Sequence, residues 1–486
     1  MSTRLDRRDF SCACLLGLAC LGLYLSTLQL RLFGVDAIGL IGIAAGVDAE
    51  IYWHPLYTRC GRLLCQLAPG ADPVQVLRSM SAAGAAAAVS GSYLLCRSFG
   101  AARGSSALAT ALLAVAPAWW FFATTVEVYP PHVALVVCGA LLVREAPRRA
   151  SLFPLVSGVL AYPLVFLSHQ TGILLLPGWA ALILRSQRER GRATTLVGAL
   201  AVCAALALAL ATAIALGNAM RGDGFQLATA SSSGTIERFH VLMPMHVLRE
   251  GWFGGLGLLG VLALGACFAR VGVGARDLEA ALLVLPSLAF FLWWGPIEKG
   301  GYFLATAPFL AAWAANRLGV PEVPRFPHPL RWCVAALLVA VQAALALSGL
   351  RAHDDGLHPE RRVIAVRSAL PRGGVLLSAD GVAPDIAIQL RDVREISLLH
   401  FMPYVLEHRP EPRVFVEQMI LPSISALVAS EPAVALDLSY RRHPGEFALG
   451  LIYLDRLEDL LAERFLVRRV ETHDWPLLLL GAPRTP

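Results

Sequence analysis

Five short clusters in this chain hold residues able to move a proton or balance a charge. Asp36 stands alone in the apolar run Gly34-Val35-Asp36-Ala37-Ile38-Gly39-Leu40. Asp48, Glu50 and the run Tyr52-Trp53-His54-Pro55-Leu56-Tyr57 follow it. Later come Glu127-Val128-Tyr129-Pro130-Pro131, Ser168-His169-Gln170-Thr171-Gly172 and Glu298-Lys299-Gly300-Gly301-Tyr302, each between apolar stretches. A carboxylate walled by apolar residues has its pKa raised and becomes a better base at neutral pH. A lysine among glycines is able to approach a phosphate, while His, Gln and Tyr side chains hydrogen-bond a hydroxylated ligand. Together these types suit group transfer from a lipid phosphate: a carboxylate base, a cation for the leaving phosphate and polar groups for a hydroxylated substrate. Each cluster also has a plainer role open to it. Asp36 ends a helix, Glu127 is a solvated loop acid, His169 bonds a neighbouring carbonyl, and Lys299 pairs with Glu298.

The elements that must position these clusters are apolar spans. The chain is 56% hydrophobic and only 16% charged, with a mean hydropathy of +0.61, which excludes an ordinary soluble domain. Eleven spans fall near 11–33, 79–96, 105–122, 130–143, 152–167, 171–184, 195–217, 252–269, 278–294, 302–316 and 332–350. Runs of about 18 to 22 apolar residues cross a bilayer as helix. None of the spans carries an ionisable residue at mid-depth. An enzyme working at one bilayer face needs that layout, whereas an ion-coupled pump needs charge inside its bundle.

The arginines set the orientation. With the N-terminus in the cytoplasm, the inner segments 1–10, 97–104, 144–151, 185–194, 270–277 and 317–331 hold seventeen arginines. The outer loops hold seven positive charges, or eight with Arg31. This bias places all five clusters outside the cell (inner) membrane in a multi-pass chain. Lys299, the only lysine in the sequence, lies on that outer side. Residues 152–184 contain Pro154, Pro163 and Pro177 and read as one bent helix or as a hairpin. Their basic flanks favour the hairpin, with His169-Gln170 at its tip. The start, with Arg4, Arg7 and Arg8 ahead of an apolar run, is expected to be an uncleaved first span. The net charge of +6 is spread over short loops, which gives no nucleic-acid signal.

The loop at 34–78 is half apolar and is expected along the membrane interface, with Tyr52, Trp53 and Tyr57 at headgroup depth. Trp293, Trp294 and Tyr302 are expected to hold the lysine loop at the same level. Cys60 and Cys65 share the first loop, either as a disulfide or as free thiols. After Leu350 the composition changes. Strand patterns at 375–380, 433–438 and 467–480 alternate with helical ones at 359–370, 415–430 and 455–465. The expected organisation is therefore an all-α polytopic membrane bundle over 1–350 and an extracytoplasmic α/β domain over 351–486.

In order along the chain, these motifs resemble the GT-C superfamily of polytopic glycosyltransferases, particularly the branch related to protein O-mannosyltransferases. That branch has an Asp after the first span and a later His-Pro segment ending in Pro-Leu-Tyr. Asp36 and His54-Pro55-Leu56-Tyr57 match these features. Its Ala-Glu-Val-Tyr motif is matched by Val126-Glu127-Val128-Tyr129 and its His-Gln-Thr motif by His169-Gln170-Thr171. Its outer domain opens with a strand ending in Asp and then an Arg-Asp-Val-type step, as do Val375 to Asp380 and Arg391-Asp392-Val393. The sequence departs from the pattern at Gly39, where the branch carries a second acid, and in the shortened His54-Pro55 stretch.

The resemblance implies an inverting transferase with a polyprenyl-phosphate-linked sugar as donor and a protein, lipid or glycan as acceptor. Asp36 would be the catalytic base, and His54, Glu127, Tyr129, His169, Gln170 and Lys299 the substrate-binding residues. Some relatives hold a divalent metal ion at the lipid phosphate. Asp36, Asp48 and Glu50 are possible ligands for one, and no spacing defines a metal site. Two other classes remain alongside this reading: a lipid or glycan transporter or flippase without transferase activity, and a non-enzymatic assembly protein whose outer domain is the working part.

Overall fold

The computed structural model describes residues 5–29, 34–46, 54–145, 153–189, 196–221, 245, 247–268, 275–294, 298–318, 328–354, 359–378, 390, 392–398, 411–438, 457–472 and 475–484. Asp48, Glu50, Tyr52, Trp53, Asp380 and Arg391 lie outside the described residues, as do the side chains of Asp36, Trp293, Trp294, Glu298 and Lys299. The chain forms two compact units. The first comprises Met1–Leu30, Tyr52–Ala230 and Ile236–Asp354, and the second comprises Arg31–Ile51, Ser231–Thr235 and Asp355–Pro486.

Helix is found within each of the eleven expected spans, but among the described residues five helices are long and apolar enough to cross a membrane, or up to seven if each bent pair is one span. The first unit is built from α1 (Arg7–Ser26), α3 (Pro55–Leu67), α4 (Pro73–Ser98), α5 (Arg103–Ala114), α6 (Pro117–Ala123) and α7 (Tyr129–Arg144). It continues with α8 (Phe153–Ser168), α9 (Leu176–Glu189), α10 (Leu196–Arg221), α11 (Leu258–Phe268), α12 (Ala275–Trp294), α13 (Ala307–Arg317) and α14 (His328–Asp354). Helix α2 (Gly34–Ala44), which carries Asp36, groups with the second unit. Two spans are broken helices. Helix α5 bends into α6 by 62°, where Pro117 lacks an N–H, and a π-helical segment, Val247–Gly254, bends into α11 by 101°.

The first span is shorter than the expected 11–33. Thr27 caps α1, its hydroxyl donating back to Leu23 O at 2.7 Å. The chain then leaves the helix so that buried Gln29 reaches the end of α6, donating to Phe121 O at 2.8 Å and Thr124 Oγ1 at 2.9 Å.

One end of the bundle is held by charge. Asp9, fully buried, accepts from Arg97 Nε and Arg103 Nε at 3.0 Å each. Glu279 accepts from Arg144 and, at 2.5 Å, from Arg185. Asp277 accepts from Arg317 Nε at 2.8 Å and from the Trp313 indole at 2.9 Å. The ion pairs of Asp9 and Asp277 join segments that the arginine count assigns to the same side, and Glu279 lies at the adjoining end of the span 278–294.

The second unit carries a five-stranded sheet in the order β2-β1-β3-β5-β4, with β1 Val375–Ser378, β2 Arg394–Ser397, β3 Val434–Asp437, β4 Phe465–Thr472 and β5 Trp475–Pro483. Strand β1 runs parallel to β2 and β3, and β5 antiparallel to β3 and β4. Side chains alternate along the strands. Val375 and Leu377 enter a core with Phe415, Ile420, Leu421 and Leu461, while Leu376 enters a core on the other face with Val363, Val366 and Trp475. Residues Arg413–Ser430 are long and apolar enough to pass for a crossing, but Phe415, Ile420, Leu421 and Ile424 are packed into the sheet's core. The strand at 394–397 went unanticipated, because Arg-Glu-Ile-Ser lacks an apolar pattern.

Candidate active site

Three of the motif-bearing tips meet at the end of the first unit away from the arginine pairs. Helix α4 supplies the support. Buried Ser81 donates its hydroxyl to Glu127 O at 2.9 Å and accepts Glu127 N at 3.1 Å. The Glu127 carboxylate accepts Val128 N at 2.7 Å and is 5% exposed. It is not a solvated loop acid. Beside it stands Tyr57, 3% exposed, whose phenol is pushed up by burial and then by the Glu127 charge, so it keeps its proton. Tyr57 is therefore a buried part of this cluster.

Rings cover the remainder of the site. His54 and His169 stack with centroids 4.7 Å apart. His169 lies 5.1 Å from Tyr129 and 5.4 Å from His132. Tyr129 meets Tyr302 edge-on at 5.8 Å, and Tyr302 stacks on Phe291 at 4.8 Å. The loop bearing Lys299 is a 3-10 turn, Glu298–Phe303, that reaches the cluster through Tyr302. Gly300, at φ +84°, makes that approach possible, since a Cβ there would sit 2.6 Å from Gly251 O. Tyr302 thus packs against the rings of the site.

Hydrogen bonds fix the histidine tautomers. His169 Nδ1 accepts Thr171 N at 3.1 Å, so its proton sits on Nε2. It does not bond a carbonyl through that nitrogen. Burial, then the neighbouring His54 and His132, hold its pKa well below the usual histidine value, and the ring stays neutral. Ser168 donates to Val165 O at 2.7 Å, so its oxygen accepts from His132 Nδ1 at 2.8 Å. That leaves His132 Nε2 as a buried lone pair without a hydrogen-bond partner. Gln170 Oε1 is a buried acceptor of the same kind, and the Thr125 hydroxyl is likewise buried without a partner.

The structure thus gathers His54, Glu127, Tyr129, His169 and Gln170 in one place, with the backbone of the Lys299 loop beside them. Asp36 lies on α2 in the other unit. Ser81 and His132 are site residues that sequence reasoning missed. Each sits inside an apolar span, with only its polarity as a signal. Among the described residues no group of three or more His, Cys, Asp or Glu is placed to hold a metal ion. Cys60 and Cys65 are free thiols on α3. Five residues apart on a helix, they point about 140° away from each other and cannot be bridged.

A polytopic helical bundle followed by a small α/β unit is the architecture of the GT-C glycosyltransferases, and the chain has that fold. No protein-family model and no curated protein matches the sequence. Among solved structures it is similar to ArnT from Cupriavidus metallidurans bound to undecaprenyl phosphate. The identity is 14% and the TM-score 0.57, over 97% of this chain and 99% of that one. It is likewise similar to the apo state of the same protein, at 15% identity and TM-score 0.53 over 97% of this chain and 98% of that one. The protein O-mannosyltransferase Pmt1-Pmt2 complex of S. cerevisiae matches at 17% identity over 45% of this chain and 34% of that one. Its TM-score of 0.37 carries no argument.

Proposed function

We propose that this protein is a membrane glycosyltransferase that moves a sugar from a polyprenyl-phosphate donor to an acceptor hydroxyl on the extracytoplasmic side, with inversion at the anomeric carbon. The observation that carries the reading is the convergence of three motifs, distant in sequence, at one end of the bundle: His54, Glu127-Val128-Tyr129 and His169-Gln170. A GT-C fold and a structural relative crystallised with undecaprenyl phosphate support the donor class.

In this mechanism Asp36 takes the proton from the acceptor hydroxyl as its oxygen attacks the anomeric carbon. The bond from that carbon to the phosphate oxygen breaks through an oxocarbenium-like transition state, and the electron pair leaves with the lipid phosphate. Lys299 balances the charge that grows on the phosphate. Glu127 accepts hydrogen bonds from sugar hydroxyls, and His169, with its proton on Nε2, donates one. Tyr129 and His54 offer ring faces to the apolar side of a sugar.

The test is transfer itself. Membranes containing the protein are incubated with radiolabelled polyprenyl-phosphate sugar, and label is followed into acceptor and released lipid phosphate. Label that changes leaflet without leaving its lipid would replace this reading with a flippase.

A further inference from the structure

We infer that Gln342, at the middle of α14, is a positioning residue that clamps the two broken helices at their breaks and so sets the two site loops relative to each other. The inference rests on the transferase reading for its kinetic consequence only.

Gln342 is fully buried, and residues 334–347 around it are otherwise apolar. Its amide makes two bonds, each to a backbone group that a helix break has stranded. Leu112 O would normally accept from Ala116 N, but that N–H turns to Leu113 O at 3.1 Å as the chain approaches Pro117. Gln342 Nε2 donates to Leu112 O instead, at 2.5 Å. On the other side, Leu258 N opens α11 and has no partner within its own helix. Gln342 Oε1 accepts it at 2.6 Å. In a bilayer-spanning segment, either group left alone would have no water to turn to.

The breaks meet at one point. Gly257, at φ +58°, lies so close that a Cβ there would be 2.9 Å from Gln342 Oε1 and 3.3 Å from Pro117 Cδ. From this junction α6 runs directly into the Thr124–Glu127 turn. The π-helical segment runs from it the other way, and its Gly251 packs against Phe303 and Gly300 of the Lys299 loop. One amide therefore fixes the root of the carboxylate loop and the root of the π-helical segment against which the lysine loop packs. Tyr129 and Tyr302, one near each loop, meet 5.8 Å apart.

The experiment compares the full-length protein with Gln342→Leu and Gln342→Glu by hydrogen–deuterium exchange and by transfer kinetics. Gln342→Leu should raise exchange at 253–261, 124–129 and 298–303, leave 359–378 as in wild type, and lower kcat about tenfold or more. In Gln342→Glu the protonated acid accepts from Leu258 N and donates to Leu112 O as the amide does, and the ionised acid does not donate. Protection and turnover in that variant should recover as pH falls, which Gln342→Leu cannot copy. If Gln342→Leu does not insert, the recovery in Gln342→Glu decides alone. Exchange at both loops unchanged from wild type, or raised evenly across the chain, would overturn the clamp. A wild-type protein that transfers no sugar would end the transferase reading, while the exchange data would still decide the clamp.

Discussion

The two ends of the helical bundle are built on opposite principles. At the arginine end, buried carboxylates are matched to guanidinium groups, as at Glu279 with Arg144 and Arg185 and at Asp9 with Arg97 and Arg103. At the other end aromatic rings stack, His54 on His169 and Tyr302 on Phe291, and a tyrosine kept protonated stands beside Glu127. Matched charge fixes helices but is spent on structure. Stacked rings hold shape while leaving hydrogen-bonding groups such as His132 Nε2 and Gln170 Oε1 without partners. An end that must receive a hydroxylated ligand has use for the second arrangement. Substitutions that break the contrast should therefore act on stability at one end and on turnover at the other.

The largest effect is expected at Glu279. It is 2% exposed and serves two arginines, so Glu279→Gln leaves a buried cationic pair without its counter-charge. The loss should be about 3–5 kcal/mol, read as a fall in unfolding temperature in detergent. Transfer per folded molecule should stay near wild type. An unfolding temperature equal to wild type would mean that the arginine end is not held by charge.

Substitutions among the proposed catalytic residues should show the reverse pattern. Asp36→Asn should insert and fold normally yet lose transfer by at least about a hundredfold if Asp36 is the base. Activity within a few-fold of wild type would move the base to Asp48 or Glu50. Lys299→Met should weaken donor binding and turnover together, and Lys299→Arg should retain part of the activity. An unchanged donor KM and rate in Lys299→Met would make the lysine structural.

Much of the helical framework was legible because a bilayer imposes a simple rule on sequence. Spans must be apolar, and arginine marks one side. The ion pairs of Asp9, Glu279 and Asp277 all fall within that scheme. The motif tips were legible because polar residues interrupt apolar runs there. What could not be read were groups whose role exists only in three dimensions. Ser81 holds Glu127 across 46 positions, and Gln342 meets Leu112 across 230. A lone polar residue in a span announces that it has a partner without naming it. The end of the first span was misjudged for the same reason, since apolar Leu28 and Leu30 conceal that Gln29 leaves the helix for Phe121 O.

A smaller effect is expected from pH. His169 has a folded-state pKa well below its usual 6.5, with burial the first cause and His54 and His132 the next. Above 6.5 the ring is neutral in both folded and unfolded chains, and its contribution to stability is fully present. As pH falls below 6.5 the unfolded chain takes up the proton first, so the contribution is lost progressively toward the folded value. The unfolding temperature should drop between pH 6.5 and 5, and His169→Gln should flatten that drop. An equal slope in the variant would assign the acid sensitivity to other groups.

The smallest effect should be at Asp6, which tests where the arginine end stops being matched burial and becomes surface. Asp6 accepts Arg103 at 2.5 Å, but its side chain is 53% exposed, whereas Asp9 beside it is fully buried. Its carboxyl is held below the usual aspartate value first by the Asp9 N–H and then by Arg103. The first of these is the helix N-cap, in which Asp6 Oδ1 accepts Asp9 N at 3.0 Å. Asparagine keeps that cap and removes only the charge, while alanine removes both. Solvent screens the exposed pair, so Asp6→Asn should shift the unfolding temperature by less than about 2 °C, and raising the salt should not enlarge the shift. Asp6→Ala should fall further, and the difference between the two variants isolates the cap. If Asp6→Asn cost as much as Glu279→Gln, the rim pair would belong with the buried ones, and the boundary between the matched interior and the screened surface would have to be drawn outside Asp6.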